Sequence, residues 1–218
     1  MTTLISSSDL NLAVQALSES QLVAFPTETV YGVAALAQDE VAVHALYQAK
    51  FRPAHMAMPV MVASPEMIPA IALPRPGFWT LAEHFWPGPL TIILMRAVAM
   101  SGIAILPDVV TAGRETVGLR IPDHPLALEL LRLANAPLAV TSANRSGQPP
   151  ARTAMEAQRQ LASRVRYVVD GGLAPGGHPS TILDLTKEPP RILRHGPTTS
   201  ETIARALGED VESIVDHR

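Results

Sequence analysis

Cysteine is absent from all 218 residues. Disulfides, thiolate zinc sites, iron–sulfur clusters and cysteine nucleophiles are thereby excluded, and the composition fits a cytoplasmic enzyme. Charge is also sparse, at 17% of residues with a formal net charge of −3. That argues against a broad basic footprint for duplex nucleic acid and leaves room for a local cationic pocket. There is no G-x-x-x-x-G-K-[ST] phosphate loop, no G-x-G-x-x-G fingerprint and no H-E-x-x-H helix. G-x-S-x-G is missing too, so Ser142 does not read as an esterase nucleophile. The seven histidines lack ligand spacing, and no protein-built metal site is expected; His44 and His124 read as helix-surface or capping residues. No basic segment precedes an apolar run at the N-terminus, so a signal peptide is not expected. Residues 89–107, PLTIILMRAVAMSGIAILP, are about long enough to cross a bilayer. Arg96 near their centre would cost roughly 2.5–3.5 kcal/mol there, and prolines bound both ends. They read instead as a strand, LTIILM, followed by a mobile loop, with no membrane association.

What is present is a globular composition, 47% apolar, in a chain long enough for a substantial core. Ser8 is placed to cap a helix through about Leu17, with Leu12, Ala13, Ala16 and Leu17 on its inner face. LVAF (22–25), PVMVA (59–63), TVGLRI (116–121), YVVD, STILDL and RILR read as strands, and WPGP (86–89) as a tight turn. A helix from about Glu40 to Lys50 is stopped by Pro53. Ser64-Pro65-Glu66 reads as the start of another. Asp123 is placed to cap a helix with Leu126, Leu130 and Leu133 inside. Thr153 and Glu156 have capping-box spacing for a helix through Leu161, and a last helix starts near Thr199. Without a repeat or long linker, residues 1–218 read as one α/β domain: a twisted, open, mixed sheet with helices on both faces.

The stretch PLAVTSANRSGQPP (137–150) leaves the core as an apolar strand and becomes a crowd of small hydrogen-bonding side chains. FPTET (25–29) and HPST (178–181) repeat the pattern. Each alone is ordinary turn chemistry. Beside them stand cations at element ends: Lys50 and Arg52 where a helix breaks, Arg120 ending VGLR, and Arg194 ending RILR. Arginines at strand ends can be surface charge, or can pair with carboxylate or phosphate. Together the residues point to an anion-binding pocket for a polar small molecule at one edge of the sheet.

The ordered set AFPTETVYGVAA, LYQAKFRP, WPGPLTIIL, VGLRIPDHPLA, LAVTSANRSG, HPSTILDL and RILRHG resembles the YrdC/Sua5 family over about residues 8–207. The resemblance implies the short single-domain form, without the C-terminal extension of longer Sua5 proteins. It also implies a large positively lined cavity and L-threonylcarbamoyladenylate synthase activity. L-threonine, bicarbonate and ATP, the last carrying Mg²⁺, would give threonylcarbamoyl-AMP and pyrophosphate. A downstream threonylcarbamoyl transferase complex would pass the group to N6 of a tRNA adenosine. Lys50 and Arg52 match the family's phosphate-contacting and catalytic pair. Thr116, Ser142, Asn144 and Arg194 match nucleotide positions, with Asn144 fixing its loop, and Thr29, Arg120 and Ser180 match the threonine-holding ones. Three residues depart from the pattern. Met56 replaces a polar or basic residue, Met61 stands where some relatives have a threonine-contacting histidine, and Pro150 replaces a serine. Two other readings remain open: synthesis of a different carbamoyl-adenylate, and a non-catalytic module for double-stranded RNA or tRNA.

Overall fold

In the computed structural model, which describes residues 1–97, 106–210 and 214–216, the central strands send alternate side chains into two separate cores. The strands are β1 (Thr3–Ser6), β2 (Val23–Phe25), β3 (Gly32–Leu36), β4 (Val60–Met61), β5 (Ala72–Leu73), β6 (Leu90–Arg96), β7 (Thr116–Arg120), β8 (Leu138–Ser142), β9 (Tyr167–Asp170), β10 (Thr181–Asp184), β11 (Arg191–Arg194) and β12 (Val215–Asp216). They form one mixed sheet in the order β1-β9-β2-β3-β8-β4-β7-β6-β10-β11-β12, with β5 on β6. The helices are α1 (Leu10–Ser18), α2 (Glu40–Lys50), α3 (Phe78–Phe85), α4 (Asp108–Thr111), α5 (Pro125–Ala134), α6 (Ala154–Leu161) and α7 (Ser200–Leu207).

The period of two along a strand sorts the residues. Val23, Phe25, Ala34, Leu138 and Val140 pack with α1 and α5 on one face. Ala24, Val33, Ala35 and Ala139 pack on the other face with α2, α3, α6 and α7. The expected α/β architecture, a mixed sheet with helices on both faces, is therefore present. Strand β3, GVAAL, was not anticipated. It is buried on both faces, so it lacks the polar–apolar alternation that marks a half-exposed strand. Helix α3 also lacks a sequence signal, because Gly77 stands at its N-cap in the left-handed region (φ 83°).

Several local expectations need correction. The chain starts with β1, parallel to β9, so Ser8 lies in a 3₁₀ turn over Ser7–Asp9 whose cap is Ser6. Leu10 replaces Leu12 on the inner face of α1, since Leu12 is 43% exposed. Helix α5 is capped by His124 rather than Asp123; Nδ1 of His124 accepts from the Leu126 amide at 3.3 Å. Its inward residues are Ala127, Leu130 and Leu131, while Leu133 is 42% exposed. The element after Ser64 is a 3₁₀ helix, Pro65–Ala70, because Pro69 cannot donate an α-helical hydrogen bond. The strand expected over 59–63 is shorter, β4 at Val60 and Met61, with flanking backbone bonds from Val140 to the Pro59 carbonyl and from Val62 to the Arg120 carbonyl. Strands β9 and β11, α2, α6 and the start of α7 fall as expected. The loop expected after LTIILM falls on residues 98–105, outside the described residues. No helix among the described residues is long and apolar enough to cross a membrane.

Candidate active site

The core shared by α1 and α5 contains no residue of β6, β7, β10 or β11. That half of their sheet face is left bare, and strand register shows what it carries. Met61 lies opposite Arg120, Ile93 opposite Gly118, and Ile182 opposite both Thr91 and Arg194. Val140 and Ser142 continue the same face on β8. These residues floor a cavity of about 480 Å³. Gly118 keeps the floor low: a Cβ there would sit 3.2 Å from the Thr91 methyl.

Among the described residues, four arginines, Arg52, Arg114, Arg120 and Arg194, reach this cavity and no carboxylate lines it. Each guanidinium is tethered. Arg52 donates from Nε to the Met56 carbonyl at 3.0 Å and from Nη2 to the Ala57 carbonyl at 2.7 Å, closing the turn after α2. Arg194 donates to the Ser180 carbonyl at 2.9 Å and the Ser180 hydroxyl at 3.1 Å. That hydroxyl lies 2.8 Å from Thr91 Oγ1. Arg120, only 4% exposed, donates from Nε to the Gly88 carbonyl at 3.0 Å. Its Nη2 reaches Thr29 Oγ1 at 3.3 Å and Glu28 Oε1 at 2.6 Å. Gly88 can come this close because WPGP is a tight turn; a Cβ on it would fall 2.3 Å from the Phe85 carbonyl. Desolvation, then the charges of Arg120 and Arg52, lower the Arg194 pKa to about 10, so it stays charged at neutral pH. Burial likewise lowers that of Arg52. The cavity is a concentrated positive field.

Of the residues predicted to form the site, Thr29, Arg52, Arg120, Ser142, Ser180 and Arg194 line the cavity together. Lys50, Asn144 and Thr116 do not. Phe51, the C-cap of α2, adopts a left-handed conformation (φ 52°), and the chain turns there. Lys50 is 1% exposed, and its Nζ donates to the carbonyls of Ser142 and Asn144 and lies 3.5 Å from Asn144 Oδ1. Burial, with a smaller effect of Arg52, lowers its pKa to about 7. Asn144 donates from Nδ2 to the Arg145 and Gln148 carbonyls at 2.9 and 2.6 Å. The polar crowd after β8 is therefore largely a folded loop. Lys50 and Asn144 hold it while the Ser142 hydroxyl, which has no partner among the described residues, faces the cavity. Thr116 shares the β7 face of Gly118 and Arg120 but sits beyond the cavity wall. Met56, Met58 and Met61 form an apolar wall, and Pro150 lies outside it.

Sequence reasoning missed Arg114, Thr91 and Glu28. Thr91 carried a signal, since it is a polar residue on the side of β6 shared with Ile93 and opposite the core-facing Ile92 and Leu94. Glu28 carried none, because its partner Arg120 is 92 positions away. A second, shallower hollow of about 610 Å³ lies around Phe51, Arg145, Arg159 and Gln160, and holds none of the predicted residues.

The chain is similar to known proteins along most of its length. Residues 15–196 match the Sua5_yciO_yrdC family model, described as "Telomere recombination". The Threonylcarbamoyl-AMP synthase of Pyrococcus abyssi is 39% identical over 201 residues, covering 92% of this chain and 57% of that one. That of Bacillus subtilis is 41% identical over 207 residues, covering 94% and 58%. This chain thus spans a little over half the length of those relatives. The crystal structure of P. abyssi Sua5 complexed with L-threonine superposes with a TM-score of 0.90 at 36% identity, over all of this chain and 62% of that one. With a family match across most of its length, and with the resembling motifs gathered around one arginine-lined cavity, the chain belongs to the YrdC/Sua5 family.

Proposed function

We propose that the chain is an L-threonylcarbamoyladenylate synthase, forming threonylcarbamoyl-AMP and pyrophosphate from L-threonine, bicarbonate and ATP. The observation that carries this reading is the division of one cavity into two chemistries. Arg120, with its charge balanced by Glu28, meets the hydroxyl of Thr29. Arg52, Arg114 and Arg194, the last held against Ser180, have no carboxylate partner among the described residues. The paired arginine suits an amino acid and the unpaired ones a triphosphate. The names of the relatives, and the threonine in the P. abyssi complex, support the same substrates.

The chemistry asks for alignment and charge neutralisation rather than a covalent intermediate. The threonine amine and bicarbonate give a carbamate and water. A carbamate oxygen then attacks the α-phosphorus of ATP, and the bond to the β-phosphate breaks as pyrophosphate leaves. Arg52 and Arg194 would neutralise the phosphates, while Arg120, Thr29 and Ser180 hold the amino acid. The Ser142 hydroxyl would donate to the nucleotide, and Lys50 and Asn144 keep its loop in place. Mg²⁺ would ride on the phosphates, since the cavity wall supplies hydroxyls and guanidiniums rather than carboxylates. The labile adenylate would then pass to a transferase acting on tRNA.

Mass spectrometry of the products, with threonine supplied or withheld, tests the reading. Threonylcarbamoyl-AMP appearing only with threonine is expected. A carbamoyl-adenylate made without threonine, or no adenylate at all, overturns it.

A further inference from the structure

The geometry points to Glu28 as the residue that makes the cavity select a zwitterionic amino acid over a simple carboxylate anion. The inference rests on the reading above and adds a specificity determinant to it. Glu28 and Arg120 form a nearly buried pair, with side-chain exposures of 17% and 5% and a 2.6 Å contact. Among the described residues, Glu28 Oε2 is the one buried side-chain nitrogen or oxygen without a hydrogen-bond partner. A pair kept only for stability has an easy remedy in a second donor or an apolar replacement. The backbone that carries Glu28 is nevertheless held firmly in place. The Glu28 carbonyl accepts from the Gly176 amide at 3.0 Å, and the Thr29 carbonyl accepts from Gly177 at 2.8 Å. A Cβ on Gly176 would fall 2.7 Å from the Glu28 carbonyl, so the 176–177 loop clamps this segment as only glycine allows.

The electrostatic consequence follows from the pairing. Arg120 alone would attract any carboxylate, and free anions are abundant competitors. With Glu28 against it the pair carries no net charge of its own, so an incoming carboxylate gains hydrogen bonds to Arg120 but little added attraction from it. An α-amino acid brings its own ammonium, and the Glu28 charge then favours the ligand as a whole. The remaining arginines, lacking such a partner, stay selective for polyanions. One acidic residue thus sets Arg120 apart in charge from the three unpaired arginines of the same cavity.

Calorimetric titration of L-threonine and of 3-hydroxybutyrate, which is threonine without the α-amino group, tests this in the intact protein. The unmodified protein is expected to prefer threonine at least tenfold. Glu28→Gln, which keeps an acceptor for Arg120, is expected to shrink that preference at least tenfold, chiefly by binding 3-hydroxybutyrate more tightly. Glu28→Asp, which restores the charge, is expected to recover most of it. An unchanged preference in a folded Glu28→Gln protein, or equal loss of both ligands, overturns the inference and leaves the synthase reading standing. Equal affinity of the unmodified protein for both ligands overturns it without any variant. Binding of ATP with no binding of threonine removes the synthase reading, and this inference with it.

Discussion

Replacing Lys50 by methionine separates two roles for this lysine, a contact to phosphate and a pin for the loop after β8. The side chains are similar in length, so packing is largely kept while the donor is lost. The Ser142 carbonyl retains the Asn144 amide at 2.9 Å, but the Asn144 carbonyl and Oδ1 lose their contacts to Nζ. Two orphaned oxygens at ~1–3 kcal/mol each, partly relieved by water, give a loss of about 2–4 kcal/mol. For a chain of this size that lowers Tm by roughly 4–16 °C. The variant also changes the pH dependence. The folded protein holds the Lys50 ammonium less tightly than the unfolded chain does, its pKa being lowered to about 7. Between that value and the ordinary lysine pKa, the unfolded chain binds the extra proton, so stability rises with pH by up to ~1.4 kcal/mol per unit. Below pH 7 both states are protonated and the full burial cost is felt. Denaturant unfolding at pH 7 and pH 9 should therefore show a larger gain for the unmodified protein than for Lys50→Met. An unchanged Tm with lost ATP binding would refute the pinning role and restore Lys50 to the phosphates.

Arg52→Ala removes a charge-assisted contact of ~1.5–3 kcal/mol, so ATP affinity by calorimetry should fall roughly 10–100-fold; unchanged pyrophosphate release would sink the assignment. Arg120→Ala would strand Glu28 and cost about 3–5 kcal/mol of stability, which makes Arg120→Lys the more informative change. Lysine can pair with Glu28 but cannot also reach Gly88 and Thr29 in the same way, so threonine affinity should drop while ATP affinity holds. A collapse of ATP affinity alone would reverse the assignment. Met56→Lys at the exposed rim should tighten ATP, more at low ionic strength than high because exposed charges are screened; equal effects at both salt concentrations would count against a direct contact. Gly88→Ala should cost about 1–3 kcal/mol through collision with the Phe85 carbonyl. It should also weaken threonine binding through Arg120, as paired unfolding and binding titrations would report.

The strand-end arginines were legible because a strand that stops at a charge is leaving the core. Arg120 and Arg194 do so on the face left bare by α1 and α5. The position of Lys50 was legible for the same reason, but its direction was not. The left-handed turn at Phe51 sends neighbouring side chains to opposite sides of the chain, and nothing about phenylalanine announces that conformation. The three-residue offset of Thr153 and Glu156 located α6 because a cap is a local bargain between nearby backbone groups. Glu28 and its guanidinium meet only after strands far apart in the chain are paired. Strand β3 hid for a related reason: a strand buried on both faces has a periodicity only when its neighbours are known.

The cavity floor alternates strands from early and late in the chain, with β3 from the first fifth and β11 from the last. No contiguous fragment contains it. Folding must close long loops before Arg52, Arg120 and Arg194 face one another, so the positive field belongs to the assembled sheet and to no part of it alone. A ligand bridging Arg52 and Arg194 would fasten strand β11 to the turn after α2. Its binding would then be felt as slower hydrogen exchange along that strand, beyond the nucleotide itself.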